Sequence, residues 1–239
     1  MGKPTVVVEA DAEAVARAAA ERLIARMTGR DRAAVCLTGG SGPQRLYRLL
    51  ASEPYRGRVP WPRVHWFMGD ERIVPEDDPR SNMGTARRLF LDACAAPGTV
   101  HAVPTDAADP DAAARRYQAA LERFHGARRL EPGMPLFDFV LMGLGLDGHT
   151  ASLFPGSPAL DETTRWVVGV PQAGQEPFVP RVTLTLPALA STREMLFLVS
   201  DAAKRGILAR VLAGEDLPAA RAHADGDLVW LVTRDAHHA

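Results

Sequence analysis

The segment GLGLDGHT at 143–150 follows an apolar run and contains His149, whose imidazole is the side chain best suited to proton transfer near neutral pH. Asp147 lies two residues earlier, where an acid can orient the ring or raise its basicity. Gly148 between them permits an unusual backbone turn. The same spacing also suits a hydrogen-bonded loop pair with no chemistry. Read literally, Gly143, Gly145 and Gly148 spell G-x-G-x-x-G. A dinucleotide fingerprint needs a sustained helix beginning within it, and Pro155-Gly156 ends the following segment within two turns, so that reading is rejected.

Two other loops carry chemistry-bearing residues. In TGGSGP at 38–43, Gly39, Gly40 and Gly42 expose backbone amides, Ser41 adds a hydroxyl, and Pro43 suits the start of a helix, an arrangement that favours a phosphate. A plain tight turn explains the glycines equally well, and no Gly-Lys-Ser/Thr follows to make a Walker loop. In MGDER at 68–72, Asp70, Glu71 and Arg72 read most simply as a solvated charge cluster with local ion pairs. A guanidinium at Arg72 nevertheless has the chemistry to grip a phosphate or carboxylate or to steady an oxyanion. Arg181 before a strand and Lys204 at a helix start have it too.

These loops need a frame that brings them together. Strand-like runs at 5–9, 33–37, 64–68, 137–143 and 194–200, and the terminal DLVWLV, alternate with helical patterns at about 11–28, from Pro43, from Ser81 (a natural cap), about 109–127, and 201–214. RWVVGV and RVTLTL also read as strands, and DERIVPEDDPR as a polar loop. Helices between strands imply a mostly parallel sheet, because parallel strands need long crossovers. The expected fold is α/β, a three-layer α/β/α arrangement with a Rossmann-like sheet covered on both faces and a small appended subdomain, all in one domain over 1–239. In such a sheet the three loops, each following a strand, converge on one cleft at the carboxyl ends.

Composition narrows the function classes. Apolar residues make up 46% of the 239 and charged residues 24%, the profile of an ordinary globular protein. A net charge of -1 gives no positive field for nucleic acid or an anionic membrane. No run is apolar enough for a membrane span, and the first residues lack the apolar core of a signal peptide. Cys36 and Cys94 suggest neither a metal site nor a disulfide framework, which points to a reducing cytoplasm. His237 and His238 read as a solvated tail, so no metal is expected. The oligomeric state stays open between a monomer and a small homo-oligomer.

In order along the chain, TGGSGP, GDER, DPRSN, GLGLDGHTASLFPGS, PRVTLTLP and SDAAK resemble the 6-phosphogluconolactonase family, relatives of glucosamine-6-phosphate deaminase and ribose-5-phosphate isomerase. The match runs nearly end to end, and DGHTASLFP is its most specific part. The resemblance implies hydrolysis of a sugar-phosphate lactone, 6-phosphogluconolactone, in the oxidative pentose phosphate pathway, with no cofactor. It implies proton transfer by His149 beside Asp147, a phosphate held by the glycine-serine loop with Lys204, and substrate contacts from Arg72 and Arg181. Asp70 joins the substrate-binding set. Gly42 departs from the family pattern, which has threonine there, and so removes a hydroxyl while leaving the amides.

Lactone hydrolysis needs an aligned water, a base and positive charge near the developing oxyanion, and these residues supply each. The nearest rival is a deaminase or isomerase on the same scaffold. Deaminase relatives carry a glutamate five residues after the histidine, and Phe154 stands there instead. A second rival is a non-catalytic module that senses sugar phosphates, since a fold alone does not fix function.

Overall fold

The computed structural model describes residues 4–237. Six strands form one wholly parallel sheet: β1 (Thr5–Glu9), β2 (Ala33–Leu37), β3 (Val64–Met68), β5 (Phe139–Met142), β8 (Glu194–Val199) and β9 (Asp227–Thr233), in the order β1-β9-β8-β5-β2-β3. Successive side chains of a strand point to opposite faces. Every residue of β2, β5 and β8 is buried, so both faces of the central strands are covered, as the apolar runs AAVCL, FVLM and MLFLV require.

The helix Ala12–Met27 buries its alanine-rich stripe and starts at Asp11, whose carboxylate accepts from the Ala14 amide at 2.8 Å. Ser81 caps the helix Asn82–Ala86 as its sequence suggests, its hydroxyl accepting from the Gly84 amide. The helix Pro110–His125 is anchored to the sheet edge by Tyr117, whose hydroxyl donates to the Met68 carbonyl and accepts from its amide, both at 3.0 Å. From β2 the chain steps to β3 at one edge, then returns past β2 to β5 and continues towards β8 and β9. The neighbours β2 and β5 therefore mark the topological switch, where a crevice opens at the strands' carboxyl ends.

Three expectations need correction. The polar loop after β3 begins as a strand, β4 (Asp70–Arg72), and it pairs antiparallel with β7 (Arg181–Leu184), which pairs antiparallel with β6 (Val167–Val170). This separate three-stranded sheet is the appended subdomain. The charges of β4 are not a solvated cluster either: Asp70 and Glu71 are buried, because packing overrides the exposure that a run of charges normally implies. His237 is not part of a solvated tail but ends a helical turn, Arg234–His237, that packs on β1 and β9 with Ala236 fully buried. His238 lies outside the described residues.

Candidate active site

At the carboxyl edge of the large sheet the loops after β2 and β5, the strand β4, the start of β7 and the segment after β8 enclose a cleft of about 280 Å³. Gly39, Gly40, Ser41, Asp70, Arg72, His149, Arg181 and Lys204 all line it. Residues up to 165 positions apart in sequence are thus brought together, as the strand order demands. Asp147, the remaining residue singled out from sequence, stands behind His149 and outside the lining.

The geometry of His149 is fixed from its Nδ1 side. Asp147 Oδ1 accepts from the His149 amide at 3.1 Å and from Nδ1–H at 2.5 Å. With the proton on Nδ1, Nε2 keeps a lone pair, and no side chain or carbonyl of the described residues engages it. Burial pushes the Asp147 carboxyl up, but the amide and ring of His149 outweigh it and hold the group below its usual value, so the carboxylate is charged at neutral pH. The glycines around it serve close approach. A Cβ on Gly145 would sit 2.1 Å from His149 Nδ1, so the imidazole lies directly over the glycine backbone. Gly148 has φ +86, in the left-handed region, with its missing side chain facing Leu217. The apparent dinucleotide signature is therefore a compact turn wrapped around an imidazole.

The loop after β2 presents the amides of Gly40, Ser41 and Gly42, none of which donates to an acceptor among the described residues. Gly40 needs its φ of +81, and a Cβ on Gly39 would collide with the Asn82 side chain at 1.9 Å. A side chain at Gly42 would meet open space, so the family's threonine fits there and its absence here is not forced by crowding. Lys204 begins the helix Arg205–Leu212 and forms no ion pair among the described residues. Burial draws its ammonium below the usual lysine value, opposed by Asp201. Of 28 basic residues in the chain only Lys3 and Lys204 are lysine, so a compact ammonium on a flexible stem is the exception in an arginine-rich protein.

On β4 the alternation of side chains sorts the three charges. Asp70 and Arg72 face the cleft, and Glu71 faces away. Glu71 accepts from the amides of Arg72, Asn82 and Met83 at 2.8, 2.8 and 2.7 Å, and from the Ser81 hydroxyl at 3.2 Å, so it ties the strand to the start of the next helix. Burial pushes its carboxyl up, and the three amides oppose that shift. Asp70 accepts from the Ser152 hydroxyl at 2.6 Å, and the Asn82 amide group donates to its backbone and side-chain oxygens at 2.9 and 3.3 Å. Arg72 donates from Nη1 to the Arg80 carbonyl at 2.7 Å.

Arg181, on β7, pairs in register with Arg72 and is 2% exposed. Its Nη2 donates to the carbonyls of Gln175 and Pro177 at 2.9 and 3.0 Å. Burial lowers its guanidinium pKa, Asp70 opposes the shift, and Arg72 adds to it. Like charges directly across a strand pair repel, so two facing guanidiniums mark a place that favours an anion.

Two contributors went unassigned in the sequence. Asn82 lies in the DPRSN segment, and Ser152 in DGHTASLFP, but no spacing rule links either to Asp70, which is 12 and 82 positions away. Ala151 adopts φ +49, the one non-glycine residue of the described chain in the left-handed region, beside the cleft. Among the described residues no group of three or more His, Cys, Asp and Glu side chains is placed to hold a metal ion. No helix among them is long and apolar enough to cross a membrane.

Known proteins resemble this one over most of the chain. A curated 6-phosphogluconolactonase of Synechocystis is 38% identical over 90% of this chain and 88% of its own, and that of Mycobacterium tuberculosis is 39% identical over 95% and 94%. The solved 6-phosphogluconolactonase of Trypanosoma brucei superposes with a TM-score of 0.82, with 29% identity, 99% of this chain covered and 98% of that one. A monomeric glucosamine-6-phosphate deaminase superposes with a TM-score of 0.82 at 20% identity, over 97% and 98%, a likeness of fold. Residues 8–230 match the family described as glucosamine-6-phosphate isomerases/6-phosphogluconolactonase, and with the cleft and its loops in the order set out above, the chain belongs to that family.

Proposed function

We propose that the protein hydrolyses 6-phospho-D-glucono-1,5-lactone to 6-phosphogluconate, the lactone-opening step of the oxidative pentose phosphate pathway. The observation that carries this reading is His149, held through Nδ1 by Asp147 with Nε2 unengaged, in a cleft that also holds Lys204 and the Arg72–Arg181 pair. A water aligned on the lactone carbonyl loses a proton to His149 Nε2 as its oxygen bonds to C1. The negative charge that develops on the carbonyl oxygen is met by Arg72. When the bond from C1 to the ring oxygen breaks, the imidazolium returns its proton to that oxygen, and the ring opens to the acid. At the other end of the substrate the phosphate dianion takes hydrogen bonds from the amides of Gly39, Gly40 and Ser41 and charge from Lys204. Asp70 and Arg181 complete the substrate-binding face, with Asp70 accepting from a sugar hydroxyl.

Each step uses side chains and backbone amides of this chain, and the reading requires no cofactor. We read residues 1–239 as one catalytic domain acting in the cytoplasm. Deaminase relatives carry a glutamate where Phe154 stands, buried and apolar, so the lactonase reading is favoured over a deaminase. Purified protein is to be mixed with freshly generated lactone, and acid release followed above the spontaneous rate. Acceleration supports the reading. Release at the spontaneous rate, or ammonia released from glucosamine 6-phosphate instead, overturns it.

A further inference from the structure

Phe154 has no part in the chemistry set out above, yet it touches both charged groups on its side of the cleft. Its ring centroid lies 4.8 Å from that of His149, at 46°, and the Arg181 guanidinium carbon lies 5.3 Å from the same ring. Phe154 is 3% exposed and forms a small apolar cluster of its own with Val170 and Ala173, apart from the main core. Gly174 leaves room for it, since a Cβ there would fall 3.0 Å from the ring. Val170 closes β6, and the segment behind it supplies the two carbonyls that hold Arg181. The ring is thus gripped from the small sheet and pressed against the imidazole.

The other side of His149 is equally constrained. Asp147 holds Nδ1, and Gly145 lets the ring lie on the loop backbone. The remaining charged groups lining the same cleft are Asp70, Arg72 and Lys204. The same ring is thus within contact range of both the imidazole and the Arg181 guanidinium, two groups that repel when both are charged. The face of an aromatic ring is electron-rich and accepts a cation on either side, so Phe154 can shield one charge from the other and exclude water between them.

We infer that Phe154 is a positioning residue that clamps His149 against Asp147 and insulates it from Arg181. The inference rests on the reading of His149 as the base. A small displacement of a reacting group costs rate far more than affinity, so Phe154→Leu is expected to lower kcat by about 10- to 50-fold with KM changed less than about threefold. Phe154→Tyr retains the ring and is expected to recover kcat to within about fivefold of wild type.

The double variant is the discriminating measurement. If Phe154 acts through His149, then Phe154→Leu added to His149→Asn lowers residual turnover by less than about twofold, because the group it positions is already gone. An independent readout is the rate at which diethyl pyrocarbonate modifies His149, followed by mass spectrometry and compared with His223 as an internal reference. That rate is expected to rise about fivefold in Phe154→Leu as the ring is released and wetted, and thermal melting checks that the variant is folded. Full loss in the His149→Asn background, a KM effect with kcat unchanged, or unaltered modification of His149 would overturn the inference. Absence of lactone turnover in the wild type would overturn the base assignment alone, and the modification rate would then decide the clamp.

Discussion

The two sheets bring opposite kinds of charged group to the same cleft. From the large parallel sheet come groups with few partners among the described residues: the amides after β2, Lys204 without an ion pair, and His149 with Nε2 unengaged. The small antiparallel sheet brings groups already occupied: Asp70 with Ser152 and Asn82, Glu71 with four donors, Arg72 with a carbonyl, and Arg181 with two. Partly engaged groups keep donors and acceptors available to an incoming molecule. Glu71, whose oxygens accept from four donors, holds shape, because a buried charge is tolerated only when its hydrogen bonds are met. Arg72 and Arg181 each keep a buried Nε without a partner among the described residues. The contrast implies that removing His149 or Lys204 should cost activity, whereas removing Glu71, which faces away from the cleft, should cost stability.

His149→Asn tests the active side hardest. It keeps size and hydrogen bonding but removes the base, so kcat is expected to fall by about 100-fold or more with substrate still bound and the melting temperature within a few degrees of wild type. Steady-state kinetics with calorimetry checks this, and near-normal turnover would remove His149 from its role. Glu71→Ala tests the other side. Three amides, two of them buried, and a hydroxyl lose their acceptor, and the expected cost is about 2 to 4 kcal/mol of folding free energy by denaturant titration. If Glu71→Ala leaves stability unchanged, the contrast between the sheets fails.

Lys204→Met separates binding from structure within the active side. Losing one charge-assisted hydrogen bond should lower kcat/KM for the phosphorylated lactone by about 1.5 to 3 kcal/mol, with unphosphorylated gluconolactone, a poor substrate for both forms, unaffected. Equal losses on both lactones would make Lys204 a structural group. The smallest effect concerns pH. Burial lowers the Lys204 pKa below the ordinary lysine value, so its positive charge is lost at lower pH than that of a solvent lysine. Affinity for 6-phosphogluconate, measured by calorimetry, should be constant near neutrality and begin to weaken before pH reaches the usual lysine value of about 10.4. In Lys204→Arg, whose guanidinium stays charged, that alkaline decline should vanish, and a decline that persists would place the titration elsewhere. Chelators should leave turnover intact, since the proposed chemistry uses no metal, and inactivation reversed by one specific metal would overturn that expectation.

Much of the large sheet was legible in the sequence because its evidence is local. Unbroken apolar runs such as AAVCL mark strands buried on both faces, Ser81 marks a helix start, and glycines cluster where the chain must turn, as beside the His149 imidazole. His149 beside Asp147 could be singled out for the same reason, since the two residues that must meet lie within one turn of backbone. The small sheet could not be read this way. Asp70-Glu71-Arg72 looks like exposed loop, and only pairing with β7, more than 100 residues later, makes it a strand that sends Glu71 into the interior and Asp70 and Arg72 into the cleft.

The sequence by itself determined the alternation of strands and helices, the glycine loops, and the residue types able to move a proton and hold an anion. Tertiary structure alone decided which of those residues share a cleft, because strand order sets β2 beside β5 and no local pattern encodes that adjacency. It alone made Arg72 face Arg181, gave Asp70 its partners Ser152 and Asn82, and set the Phe154 ring against both His149 and Arg181. The physical reason is the range of the forces involved. Propensity and capping act over a few neighbouring residues, whereas burial, desolvation and the pairing of charges depend on neighbours that only the folded chain supplies.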